Sequence, residues 1–432
     1  MSIHAIHSAL AYCAPTDTAG QLDSSFACAG KAWVDFPGSQ WSLANDVTVD
    51  RQGRLLVAAK VGLDHGCHFG LARLHTDGSP DLSFGTQGCV LGQFAPGLES
   101  SGGKVLALAD GRILVSGLIY ESPYRTLPAL ALFDSQGRPD FSFGDGGVQV
   151  VRLPGNLSQG LRDAWLPPGV PGAEACDAQV QADGRILLLA NHHFEFADHV
   201  GILIRLEPDG SLDTSFNGRG FVMVRHLLLN TWLSSILVQR DGAIVVGGSI
   251  DLPQEGLLAR FDKDGRLDSS FAEHGFLSFR AQERSAQVSR VVQHVDGHLQ
   301  CFGSSRDPMH CLSLNVRCDG RPDMTNNAGH AHLTQIAKVP SQWTAATTCP
   351  DGRVLSVGAT IGGVEADFLV ARHLADGRPD LDFGEGNGWV RTRLGHSLDT
   401  ATSLVVQADE GIVVGGYSLD GHYRAVLVRY RA

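Results

Sequence analysis

The chain has 432 residues, 43% of them hydrophobic, with 52 glycines, only 19% charged residues and a formal net charge of −12. That balance describes a turn-rich, mostly β protein. Its scattered acidic residues argue against a nucleic-acid or anionic-membrane partner, because both are held through Lys and Arg.

The opening stretch, MSIHAIHSALAYCAPTDTAG, has no Lys or Arg ahead of its weakly apolar run and no small-residue cleavage site. Bulky Tyr12 precedes Cys13, where a lipoprotein signal has a small residue. The expectation is a cytoplasmic protein, or one exported without a standard signal peptide. No apolar run approaches the roughly 20 residues that span a bilayer. The nine cysteines (13, 28, 67, 89, 176, 301, 311, 318 and 349) are odd in number, form no C-x-x-C pair and fall at different points of the repeat described next. They are expected to be reduced thiols.

From residue 20 onward two turn signals alternate. The first sits in V-x-x-x-x-D-G-R-I-L-V-x-G, with its glycine at Gly53, Gly111, Gly184, Gly242, Gly297, Gly352 and Gly411. The second ends a short apolar strand and opens the tail D-F-S-F-G, as in LALFDSQGRPDFSFGDGG, with its glycine at Gly78, Gly137, Gly210, Gly265, Gly320 and Gly377. D-G between alternating apolar segments marks a β-hairpin, since both turn positions tolerate positive φ. Each unit of about 60 residues therefore reads as four strands; in the second unit they fall near 104–108, 112–116, 129–133 and 148–152. Seven such units with no helical pattern between them predict a single seven-bladed β-propeller domain over 1–432, built of four-stranded antiparallel blades. The last unit stops after its third strand, and the missing tail stands at the other end as Gly20 to Phe26 followed by 31–36. The N-terminal segment is expected to close the ring as the outer strand of the C-terminal blade, leaving no long open edge. A monomer is the expected state.

The segments Leu71 to Gly78, Asp209 to Phe216 and Asp264 to Phe271 resemble the bacterial delta-60 repeat, and the resemblance runs over nearly the whole chain. The fifth copy, Asp319-Gly320-Arg321-Pro322-Asp323-Met324-Thr325-Asn326, is degenerate and loses its Phe. The resemblance implies a propeller and supplies no shared reaction or catalytic residues.

Phe26, Phe84, Phe143, Phe216, Phe271 and Phe383 share one repeat position and are expected to wedge between blades or cap a blade's core. The Asp three residues before each is expected to accept backbone N–H bonds in the turn. A calcium role for these carboxylates is the weaker reading, because EF-hand-like spacing is absent.

The D-G hairpins share one face, and the loops between second and third strands and between blades share the other. The second set is longer and variable, and is where a site is expected. Residues 153–176 are the largest insertion there. Trp41, Trp165, Trp232 and Trp343 are read as lying in blade-to-blade loops, where tryptophans stack on a sugar or anchor a protein partner. Tyr120, Tyr124, Arg125 and Arg306, with Glu121 and Glu365, are candidates for a polar ligand on the second-to-third strand loops. His65, His68, His192 and His193 on the same loops are candidate ligands of a divalent metal such as zinc or iron. No G-x-S-x-G elbow, phosphate loop or dinucleotide fingerprint is present in context, and Gly247-Gly248 and Gly415-Gly416 read as strand ends. Two functions stand open: a non-enzymatic recognition module for a protein or glycan, and a metal-assisted hydrolase or lyase at the axial mouth of the ring.

Overall fold

In the computed structural model, the described residues are 18–432 apart from 123–124, 154–176, 196–197, 228, 252–253, 307 and 363–364. They form seven four-stranded antiparallel sheets, the blades of a propeller, with no α-helix among them. The second blade is Glu99–Ala107, Ile113–Ser122, Arg125–Phe133 and Val148–Val150, in that order across the sheet. Its first three strands run further toward the loop-rich face than their apolar cores suggest. Glu99-Ser100-Ser101 pairs in register with Tyr120-Ile119-Leu118, although little in that stretch is apolar.

Each blade packs its two faces against its neighbours, so the second strands are covered on both sides. Ile244–Ile250, Leu299–Ser305 and Val354–Thr360 are buried at every position. Such strands read as continuous apolar runs instead of alternating ones. The seventh blade takes Asp399–Val406, Ile412–Asp420 and His422–Tyr430, and its outer strand is Lys31–Val34, paired Lys31↔Val428 to Val34↔Ala425. Arg429 meets Asp23 at 2.8 Å beside this strand.

Two devices hold the ring together. Near the axis, the first strand carries a β-bulge in six of the blades, at Asn45, Gly103, Ser234, Ser289, Thr344 and Thr402. Opposite five of these bulges stand Gly117, Gly248, Gly303, Gly358 and Gly416, where a Cβ would run into the carbonyl of the strand just before the bulge. Gly247-Gly248 and Gly415-Gly416 therefore lie inside strands; they are not strand ends, and one glycine of each pair admits a neighbouring backbone. The bulged side chains reach the next blade: Asn45 Nδ2 donates to Gly102 O at 2.6 Å, Ser234 Oγ to Val288 O at 2.5 Å, Thr344 Oγ1 to Ala401 O at 2.7 Å and Thr402 Oγ1 to Ala44 O at 2.8 Å.

On the hairpin face the second device is the repeated Asp, Arg and Phe. Phe216 is fully buried beneath the turn of the following blade, and a Cβ on Gly265 would lie 2.7 Å from its ring. At φ +81° that turn also needs the freedom of glycine. The Arg205 guanidinium lies 4.5 Å over the ring and pairs with Asp213 at 2.6 Å, while Asp213 Oδ1 accepts the Ser215 amide at 3.0 Å. Burial by itself would raise the Asp213 carboxyl, but hydrogen bonds from Ser215 and Arg205 outweigh it and hold the group below its ordinary range. The phenylalanines are interblade wedges and the aspartates turn-formers, with oxygens committed to the turn and to arginine.

Candidate functional site

A cavity of about 400 Å³ opens along the propeller axis, lined by the first strands of all seven blades or the residues leading into them. The residue after five of the six bulges lines this cavity, and there the sequence departs from repetition: Asp46, Lys104, Arg290, Ala345 and Ser403, joined by Asp177 of the third blade. Asp46 Oδ2 accepts the Val105 amide at 3.0 Å and Asp177 Oδ2 the Ile236 amide at 2.8 Å, which ties each carboxylate to the next blade. Lys104 Nζ lies 3.1 Å from Asp46 and 3.7 Å from Asp177, and Arg290 reaches past the fourth blade to Asp177 at 2.7 Å. Two acids and two bases thus form one alternating chain around five blades. The opposite wall, from the sixth and seventh blades, is Thr344, Ala345, Ala346, Thr402, Ser403 and Leu404.

The second strands run toward the loop-rich face, and three of their side chains line the cavity at that end: Lys60, Tyr120 and Tyr417. Lys60 Nζ is 3.2 Å from Tyr120 Oη and 4.8 Å from the centre of its ring. Tyr417 stands edge-on to Tyr423 at 5.7 Å. The mouth therefore presents an aromatic face, phenolic hydroxyls and an ammonium above a wall whose charges neutralise one another.

Tyr120 is thus placed at the axial mouth. The three other aromatic candidates among the described residues are not loop residues. Trp41, Trp232 and Trp343 lie in the first strands Trp41–Val49, Thr231–Val238 and Ser341–Thr348. Trp41 covers Gly62, where any Cβ would collide with the indole. Trp232 is 5.8 Å from His199, which meets Asp251 at 2.8 Å. Trp343 is 2% exposed, inside the core shared by the fifth and sixth blades and edge-on to His373 at 6.1 Å, so it packs the scaffold and offers no ligand surface. Arg306 is exposed, and its amide is held by Ser285 Oγ at 2.9 Å. Tyr124 and Trp165 lie outside the described residues, as do residues 154–176 of the insertion, and Arg125 is described only as the start of a strand.

Of the histidines, His65 is exposed in the turn after the second strand of the first blade. His68 is on the third strand of that blade, where its Nδ1 is buried without a hydrogen-bond partner. His192 is on Ile186–Glu195 of the third blade, and the side chain of His193 lies outside the described residues. Blade two separates the two sets, and among the described residues no three of His, Cys, Asp or Glu are grouped to hold a metal ion.

The axial charges are not among the candidates that motif and loop position single out, although the sequence carries a signal for them. Asp46, Lys104 and Arg290 interrupt strands that otherwise carry small or apolar residues, as in N-D-V, G-G-K-V and S-R-V-V.

The profile of a family described as a β-propeller domain of unknown function, DUF5122, matches residues 53–84, 181–216 and 239–271. Among curated proteins no sequence relative was found. Solved structures similar in shape include a protein of unknown function from Dyadobacter fermentans, at 12% identity and a TM-score of 0.49, covering 93% of this chain and 98% of that one. Chaetomium thermophilum Sqt1 bound to the N-terminus of ribosomal protein L10 is similar at 14% identity and 0.47, covering 93% and 99%. A polysaccharide lyase acting on ulvan is similar at 11% identity and 0.43, covering 96% and 94%.

Proposed function

We propose that the protein is a non-enzymatic recognition module, a rigid disc that takes a protein or glycan partner on its loop-rich face. A polar group of that partner enters the axial mouth. The observation that supports this reading is the mouth itself, where Lys60, Tyr120 and Tyr417 surround a cavity of about 400 Å³. That volume lies within the roughly 300–1,000 Å³ of ordinary ligand pockets. An aromatic face beside hydroxyl and ammonium donors suits a hydroxyl- or carboxylate-bearing chain end, which stacks and hydrogen-bonds at once. The Asp46–Lys104–Asp177–Arg290 chain beneath it fixes the wall.

The test is a glycan array and an affinity search with the intact protein, repeated on Lys60→Ala and Tyr120→Ala variants whose circular dichroism matches the parent. The expected result is a partner whose binding weakens at least about tenfold in each variant. Binding that both variants leave unchanged moves the site off the axis. A metal-dependent hydrolase or lyase activity that disappears in His68→Ala or His192→Ala replaces the recognition reading with the enzymatic one.

A further inference from the structure

Six copies of the repeat hold their turn aspartate with an arginine. Asp23, Asp81, Asp140, Asp213, Asp268 and Asp380 each meet one at 2.6–3.1 Å. The fifth copy keeps the aspartate and its turn, since Asp323 Oδ1 accepts the Thr325 amide and hydroxyl at 3.0 and 2.8 Å. Those two bonds are the main reason its carboxyl sits below the ordinary range, with longer-range help from His298 and Arg317. Among the described residues no arginine or lysine comes within ion-pair distance of it.

The loss is concentrated at one junction. The arginine of the third strand is replaced by Asn315, and the wedge phenylalanine by Asn326. The arginine that supports Asp81, Asp213 and Asp380 from the first hairpin (Arg54, Arg185, Arg353) is replaced by His298. Across from Asn315 stands Gln300, where the other blades carry Leu or Val. The polar replacements bond to one another and to the next blade: His294 with Gln300 at 3.2 Å, His332 with Asn326 at 2.5 Å, and Asn315 Nδ2 to Asp376 O at 3.0 Å. A cavity of about 640 Å³ opens there on the hairpin face, between the fifth and sixth blades. Its wall carries the carboxylates of Asp296, Asp323 and Asp376 against the single guanidinium of Arg378, which is itself bonded to Asp376 at 2.7 Å. Gln300 is completely buried at the same junction, and its Nε2 lacks an acceptor.

We propose that this junction is a second recognition site, selective for a guanidinium group, in which an incoming arginine-like cation takes the place of the side chain the fifth copy lacks. Five of the other copies show the fit: a planar cation donates to the aspartate and lies over the wedge ring. Asp323 is the anchor, and Thr325 holds it in the orientation that Ser83, Ser215 and Ser270 give its counterparts. The guest is either a free guanidino compound or an arginine within a polypeptide.

The test is calorimetric titration of the full chain with agmatine, with the tripeptide Gly-Arg-Gly, and with Gly-Lys-Gly as control. The variants are Asp323→Asn, which keeps the oxygen the turn uses, and Asn315→Arg with Asn326→Phe, which refills the junction. The expected result is binding of agmatine or Gly-Arg-Gly at about millimolar or tighter affinity, weakened at least about tenfold by Asp323→Asn and abolished by refilling. Tighter binding of the tripeptide assigns the polypeptide source, and tighter binding of agmatine the small-molecule one. No heat from either probe, equal binding of Gly-Lys-Gly, or binding that survives refilling overturns the proposal.

Discussion

Replacing Phe216 with alanine removes a wedge whose surroundings are fully specified. The ring is completely buried, roofed by the turn glycine Gly265 and covered by the Arg205 guanidinium at 4.5 Å. Losing the transfer energy of a buried aromatic costs about 2–3 kcal/mol. The cation–π contact, partly sheltered from water, adds about 0.5–2 kcal/mol. The space cannot collapse easily, because both walls are strands tied into separate sheets, so the total is about 3–4 kcal/mol, within the usual span for Phe→Ala in a core. Equilibrium urea unfolding followed by tryptophan fluorescence measures this as a fall in midpoint at unchanged slope. Phe216→Leu should recover about half of the loss. A cost below about 1 kcal/mol for Phe216→Ala would refute the wedge reading, since it would mean that neighbouring blades are held by the axial bonds alone.

His373 is buried at the core of the fifth and sixth blades, and burial pushes its pKa down from 6.5 to about 4. The unfolded chain then binds the proton and the folded one does not, so stability is full above pH 6.5 and falls by about 3 kcal/mol as the pH drops toward 4. Urea midpoints measured from pH 7 to pH 4 should show this loss in the parent and much less of it in His373→Gln. Lys104→Ala leaves Asp46 without its cation and Asp177 with Arg290 alone; the expected cost is about 2 kcal/mol, between that of a surface pair and a fully buried one. Urea unfolding of the variant, with Asp46→Asn as the second arm of a double-mutant cycle, checks it, and a cost under about 0.5 kcal/mol would show the chain to be idle. Alkylation of the native protein followed by site-resolved mass spectrometry should label Cys28 and Cys318, which are exposed, well before Cys301 and Cys311, whose thiols burial pushes far above their ordinary range. Equal rates at these four sites would contradict the packing of the fifth blade.

Blade number and strand order were legible because each copy repeats the same turn chemistry, and a turn glycine such as Gly265 is dictated by its own φ and by the ring beneath it. The axial site was not, because Asp46 and Lys104 lie in strands of neighbouring blades and only the bulges bring their heads together. Hydrophobic periodicity cannot locate a bulge, nor the polar strand ends near Glu99 that pair through backbone alone. The tryptophans misled for a related reason: Trp41 and Trp343 begin or lie within first strands whose opening residues are polar, so they read as loop. At the fifth junction the sequence did announce itself, through the lost phenylalanine. That Arg, Leu and Phe positions change together there is visible only once Asn315 and Asn326 are seen to face one space, with Gln300 paired across from Asn315.

The seventh blade joins Lys31–Val34 to His422–Tyr430, segments between which the other six blades are synthesised. While the ribosome is still at work, the early blades stand in an open arc with two bare edges and Phe26 has no third strand of its own blade to rest against. The disc becomes one cooperative object only after Tyr430 has emerged. A nascent chain stalled short of that residue is therefore expected to be protease-sensitive in the seventh blade, and emergence of His422–Tyr430 is the event that closes the ring.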